Sequence, residues 1–185
     1  MKTSLKGHLL VATPELLAPI FMKSVILMLD HSSEGAAGLI LNRLTEATVA
    51  SISEQVFEQS SDWLQPIRLG GPVPGPLIVI HRHEELADQT ILPGVFSTVD
   101  ADNVRQLMRL KVEPSLTLAN YAGWGSGQLE SELAEGSWVS LPATADFVFW
   151  DERDDLWNAV MKAYRGRSLS TLLNLREIPN DPSLN

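Results

Sequence analysis

The stretch YAGWGSGQLESEL (Tyr121–Leu133) decides how this chain is read. Upstream, Ser115 to Ala122 carry a strand pattern; downstream, Gln128 to Ala134 carry a short helical one closed by Gly136. Between them stand Gly123, Gly125 and Gly127, with Trp124, Ser126 and Gln128. Such a strand-to-helix junction has two uses. It can cradle an anion with the backbone N–H groups of Ser126 to Gln128, helped by the Ser126 hydroxyl and the Gln128 amide. Or the glycines let the chain turn sharply while Trp124 plugs the turn. The spacing is not GxGxxG, and no Lys follows the last glycine as in a P-loop. Trp124 stands where a G-x-S-x-G elbow needs its first glycine. Glu130 and Glu132 already complement the helix start and would repel a phosphate. The turn reading is preferred, with the ligand loop as its alternative.

Working outward, His8–Thr13 reads as a buried strand stopped by Pro14. Ser24–Leu29 and Ala37–Leu41 read as a hairpin across a long turn-rich loop, Asp30–Gly35. Thr48–Phe57 has helical spacing with Thr48 as cap, and Asp100–Lys111 has the same with Asp100 as cap. Ile67–Leu69 and LIVIHRH are strands on either side of the turn GGPVPGP, and Val95–Val99 is another. Trp138–Leu141 and Phe147–Trp150 read as strands, and Leu156–Tyr164 as a helix stopped by Gly166. Strands and helices mix without strict alternation, which predicts an α+β or mixed α/β fold. Residues 1–178 are read as one domain and 179–185 as a tail.

Composition narrows the function classes. Cysteine is absent, so disulfides, thiol nucleophiles and thiolate metal sites are excluded. The net charge is −9, and the acid excess is spread over both halves. Without a Lys/Arg cluster there is no counterpart for a phosphate backbone, and direct nucleic-acid binding is disfavoured. The longest apolar run, VILML, is too short to span a bilayer, and no targeting segment is read at the start. A soluble, cytoplasmic protein is expected.

Other constellations are weaker. His81 and His83 alternate about Arg82 and precede Glu84 and Glu85, a zinc-like grouping whose plainer reading is a polar strand end. Asp30 and His31 open the hairpin loop, but neighbours on an extended chain point opposite ways. Arg43, beside Asn42, is the best anion-binding side chain of the first half, with a surface ion pair as the plainer reading. The run DERDD (151–155) suits the start of the helix after it. No cofactor and no metal is expected.

Taken in order, GHLLVATP, SVILMLDHSSEGAAGLILNR, GGPV, YAGWGSGQLESEL and GSW resemble the YqgE/AlgH family of bacterial proteins. The resemblance covers Gly7 to Trp138. It implies a mixed sheet curled into a partial barrel with helices packed outside, and no firmly assigned activity. Some members carry the label of transcriptional regulator; no helix-turn-helix candidate is found here. The family's signature positions fall on Pro14, His31, Gly35, Gly38, Asn42, Gly70, Gly71, Pro72, Val73, Gly123, Trp124, Gly125, Gln128, Leu129 and Glu130. Asn120 stands where a glycine is common, and Leu44 where a proline is.

Two functions are therefore carried forward. The first is a non-catalytic interaction or regulatory protein with a protein partner. The second is a binder of, or enzyme acting on, a small anionic metabolite. Its site would be drawn from His31, Asn42, Arg43, Gly70, Gly71, Trp124, Gly125, Ser126, Gly127 and Gln128. Convergence of these residues in space discriminates between the two.

Overall fold

The computed structural model describes residues 4–58, 60–151 and 155–172. Its strands and helices run β1 (His8–Ala12), β2 (Val25–Ser32), β3 (Gly35–Ile40), β4 (Leu44–Thr48), α1 (Val49–Phe57), β5 (Pro66–Leu69), β6 (Val73–His81), β7 (Gln89–Leu92), β8 (Val95–Thr98), α2 (Ala101–Leu110), β9 (Leu116–Gly125), α3 (Gln128–Ala134), β10 (Trp138–Pro142), α4 (Ala145–Val148) and α5 (Leu156–Leu172). Ten strands form one sheet in the order β10-β1-β2-β3-β9-β6-β8-β7, with β4 on β5 and β5 on β9. All described pairings are antiparallel except β5 with β9. The sheet curls until its two ends approach. A Cβ on Gly7, beside β1, would lie 2.9 Å from the Ile91 carbonyl oxygen of β7.

Curling explains the continuous apolar runs. A strand covered on both faces has no polar side to show. Leu9, Val11, Val25, Leu27, Leu39 and Leu41 point into the curl, where Leu156, Val160 and Met161 of α5 meet them. Leu10, Ile26, Met28 and Ile40 point outward to Trp124, Leu129 and Trp138, under α3. Farther along the sheet, α1 and α2 cover Ile67 and Val79 with Val49, Val104, Leu107 and Met108. Helices α1 to α3 thus lie outside the half-barrel, as expected, and α5 fills its concave side.

Local signals placed most elements, and four expectations are corrected. The hairpin loop is not Asp30–Gly35: β2 continues to Ser32 and only Ser33 and Glu34 turn. A bulge between Met28 and Asp30 allows this extension. Phe147–Trp150 is not a strand, because the Thr144 hydroxyl accepts from the Phe147 N–H at 3.3 Å and starts α4 instead. Gly166 does not stop α5, which runs on to Leu172; glycine adopts right-handed as readily as left-handed backbone. Gly123 and Gly125 belong to β9 and not to a loop. The short strands β4 and β7 carry no pattern that the sequence reading detected. The tail read at 179–185 and the acids at 152–154 lie outside the described residues. Among the described residues, no helix is long and apolar enough to cross a membrane.

Candidate functional site

The last turn of β9 is shaped by its neighbours. Gly125 pairs with Gly35 and Gly123 with Ala37. A Cβ on Gly35 would lie 2.3 Å from the Trp124 carbonyl oxygen, so the backbones touch where a side chain would stand. Only Gly127, at φ 72°, makes the turn into α3, and it serves as the N-cap residue. The seven-residue helix has no side-chain cap on that residue.

The polar groups of the junction bond to one another. The Gln128 amide oxygen accepts from the Gly125 N–H at 3.1 Å, and its Nε2 donates to Glu132 Oε1 at 2.9 Å. The second Glu132 oxygen accepts from two indoles, Trp124 Nε1 at 2.9 Å and Trp138 Nε1 at 2.8 Å. The two rings meet edge to face, with centroids 6.1 Å apart. The Ser126 hydroxyl donates to the Ser33 carbonyl at 2.6 Å and ties the turn to the hairpin tip. Trp124 is buried and plugs the space beneath α3.

His31 joins the same network. Its Nδ1 accepts from the Leu5 N–H at 3.0 Å, which leaves the neutral ring its proton on Nε2, 3.2 Å from Glu130 Oε1. The β2 bulge decides this placement. It turns His31 to the outer face opposite Ala36 and sends Asp30, opposite Ala37, to the inner one. On that inner face lies an open groove of about 410 Å3, bounded by Asp30, Glu34, Ala37, Tyr121 and Gly123. Its rim carries two carboxylates, so an anion there would meet like charge.

The remaining predicted residues lie elsewhere. Asn42 and Arg43 sit past the far end of β3, about 20 Å from the hairpin tip at ~3.3 Å per strand residue. Asn42 accepts from the Val25 N–H at 2.9 Å and donates to the Lys23 carbonyl at 2.8 Å. The Arg43 guanidinium bonds the carbonyls of Met22 and Asn42. Burial pushes its pKa down from the ordinary value, yet an arginine stays charged at neutral pH. Gly70 and Gly71 press on the middle of β9. A Cβ on Gly70 would fall 2.4 Å from the Asn120 carbonyl oxygen, and one on Gly71 2.1 Å from the Tyr121 carbonyl carbon. Asn120 itself has φ 65°, the left-handed region that asparagine tolerates best after glycine. That explains why asparagine stands there. So His31, Trp124, Gly125, Ser126, Gly127 and Gln128 gather at one end, Asn42 and Arg43 at the other, and Gly70 and Gly71 along the middle of β9.

Two features escaped the sequence reading. Glu132 was taken only as a helix-start acid, whereas it is the acceptor for two tryptophans. Arg68 is a buried cation beside a cavity of about 460 Å3, shared with Gln65, Glu113, Ser115 and Asp151. Its signal was a charge inside the apolar strand PIRL. The His81–His83 pair is bonded within its own strand end. His81 is fully buried, its Nδ1 accepts from the His83 N–H at 3.1 Å, and His83 bonds Glu85 at 3.0 Å. Among the described residues, no three His, Asp or Glu side chains are grouped for a metal ion.

The profile of a protein family described as AlgH-like (DUF179) matches residues 9–168. The chain belongs to the AlgH-like family. A UPF0301 protein of Chlamydia caviae is 35% identical over 175 residues, covering 90% of this chain and 91% of the relative. Another UPF0301 protein, from Myxococcus xanthus, is 37% identical over 164 residues, covering 86% and 90%. The solution structure of AlgH from Pseudomonas aeruginosa superposes with a TM-score of 0.75 at 28% identity, covering 95% of this chain and 96% of that one. AlgH-like membership thus agrees with the curled mixed sheet, and the printed names of these relatives state no activity.

Proposed function

We propose that this chain is a non-catalytic interaction or regulatory protein of the cytoplasm, acting through a protein partner. One observation carries the reading. At the junction that the sequence singles out, the polar side chains are spent on internal bonds: Gln128 on Gly125 and Glu132, Ser126 on Ser33, and His31 on Leu5 and Glu130. A catalytic or anion-binding loop needs donors directed at a vacancy. The carboxylates of the adjoining groove and the distance of Arg43 point the same way. The runner-up, a binder of a small anionic metabolite, draws its support from buried Arg68 beside its cavity, although Glu113 and Asp151 also face that space.

A thermal-stability panel of nucleotides, sugar phosphates and small carboxylates separates the two. The interaction reading expects no shift from any compound. A true ligand at ~100-fold excess over its Kd stabilises by about 2.7 kcal/mol, a plain rise in Tm. Such a rise, lost in Arg68→Met but kept in Gln128→Ala, would favour the metabolite reading and move the site to the Arg68 cavity.

A further inference from the structure

Helices α1 and α2 leave a small cleft on the outer face of the sheet. It measures about 90 Å3, the size of one apolar side chain, and is bounded by Ser53, Phe57, Arg105, Met108, Arg109 and Lys111. Its floor is apolar: Met108 is buried and Phe57 packs on the α1–α2 core. The segments that form the cleft also carry exposed apolar side chains. Val56 in α1 is 53% exposed, Leu110 in α2 56%, and Leu64, on the segment after α1, 74%.

The rim is cationic in a chain whose net charge is −9. Arg105 and Arg109 are one helical turn apart on α2, and Lys111 follows at its end. Against these three cations the cleft presents one carboxylate, Asp62. Arg105 pairs with Asp102, and Lys111 with Asp62 at 2.7 Å. Both pairs are solvent-exposed, so they hold their cations weakly and yield to a better-placed carboxylate. Arg105 also lies 5.7 Å from the Phe57 ring centre, over the cleft mouth. Arg109 has no carboxylate within ion-pair distance among the described residues.

We infer that the α1–α2 cleft docks an acidic, amphipathic segment of a partner protein, with one large apolar side chain in the Phe57–Met108 cleft and carboxylates on Arg105, Arg109 and Lys111. This deepens the interaction reading above and rests on it. An aromatic anchor in a well-packed pocket beside arginines is a common energetic centre of an interface. Charge complementarity selects an acidic partner and speeds its encounter. A compact phosphate fits less well. It would leave the apolar floor of Phe57 and Met108 uncovered.

The test is a displayed library of random peptides of about 12 residues, selected on the whole protein and counter-selected on Arg105→Glu/Arg109→Glu. Both changes lie on an exposed helix face, and an unchanged Tm checks folding. The expected pool is rich in Asp and Glu and carries an aromatic or leucine residue. Its best clone, labelled and followed by anisotropy, loses about tenfold or more in affinity on the double variant. Four results overturn the inference. A pool of basic or neutral peptides removes the chemistry. A pool insensitive to the double variant leaves an interaction protein with its surface elsewhere. Displacement of the clone by millimolar inorganic phosphate, at constant ionic strength, makes the cleft a small-anion site. No pool at all, or a dimer that the double variant dissolves, removes the foreign segment. No pool together with a Tm rise in the metabolite panel defeats the interaction reading itself.

Discussion

The β9–α3 junction and the α1–α2 cleft are opposites. The junction is conspicuous in sequence, with its glycines and tryptophan, and its polar side chains are bonded inward. The cleft is built from ordinary helix residues, and its cations face outward. Unusual residues mark places where the backbone has no freedom, because close approach and left-handed turns admit few side chains. A surface that meets a partner needs no unusual backbone. Conspicuous sequence therefore reports constraint before it reports contact with a ligand.

Breaking the close packing along β9 and its junction should cost far more than altering the cleft. The largest effect is expected from Gly71→Ala. The added methyl would lie 2.1 Å from the Tyr121 carbonyl carbon and 2.2 Å from the Ala122 nitrogen, both backbone atoms. A loss of ~4 kcal/mol or more is expected, read by urea unfolding or as failure to accumulate folded protein. A variant of native stability would mean that the Gly70–Pro72 turn can move, and the contrast with the cleft would collapse.

Next comes Glu132→Ala. It strands two indole N–H groups and the Gln128 amide, and about 3 kcal/mol should be lost, with a change in tryptophan fluorescence. A much smaller loss would show that water replaces the carboxylate. Ser126→Ala, which removes one bond to the Ser33 carbonyl, should cost only ~1 kcal/mol in the same assay.

A third effect lies outside both regions and measures how tightly the rest of the sheet is closed. His81 is fully buried, and burial first, then His83, pushes its pKa down, against opposing pulls from Glu85 and Asp88. Its protonated form is therefore disfavoured in the folded state. Above the ordinary histidine pKa of ~6.5 neither state is charged and stability is intact. Below it the unfolded chain takes a proton that the folded chain refuses, so stability falls with pH, by at most ~1.4 kcal/mol per unit. Urea midpoints from pH 8 to pH 5 should show a slope that His81→Phe reduces by one proton. An equal slope in the variant would assign the effect to other groups.

A loss as small as that of Ser126→Ala should come from Asp100→Ala at the start of α2. Asp100 accepts from the Asp102 and Asn103 N–H groups at 3.1 and 3.0 Å, and the loss should be ~1 kcal/mol. Peptide binding at the cleft should survive it. If binding disappeared, the cleft would depend on the order of the whole helix and not on its last turns.

Much of the fold was legible because its signals are local. Thr48 and Asp100 cap the helices that they were expected to cap, and Gly136 follows α3 in left-handed backbone. The errors fall where partners across the sheet overrule local pattern. Asp30–Ser32 looks like a loop alone, but strand pairing with Gly35–Ala37 extends β2 through it. Gly123 and Gly125 look like a loop alone, but Ala37 and Gly35 hold them in β9. At the candidate site, residue types pointed to the junction but not to the partners of its side chains.

By itself, then, the sequence determined most of the helices and strands and that the chain is AlgH-like. Apolar runs, caps and glycines act over a few residues, so they can be read in order along the chain. Only the tertiary structure decided that Asn42 and Arg43 lie far from the glycines, that β5 joins β9 in parallel, and that Ser126, Gln128 and His31 are already bonded. Those facts rest on contacts between distant residues, such as His31 with Glu130 and Ser126 with Ser33. Nothing in either short stretch specifies the other, because a hydrogen bond is fixed by where the fold sets its two ends.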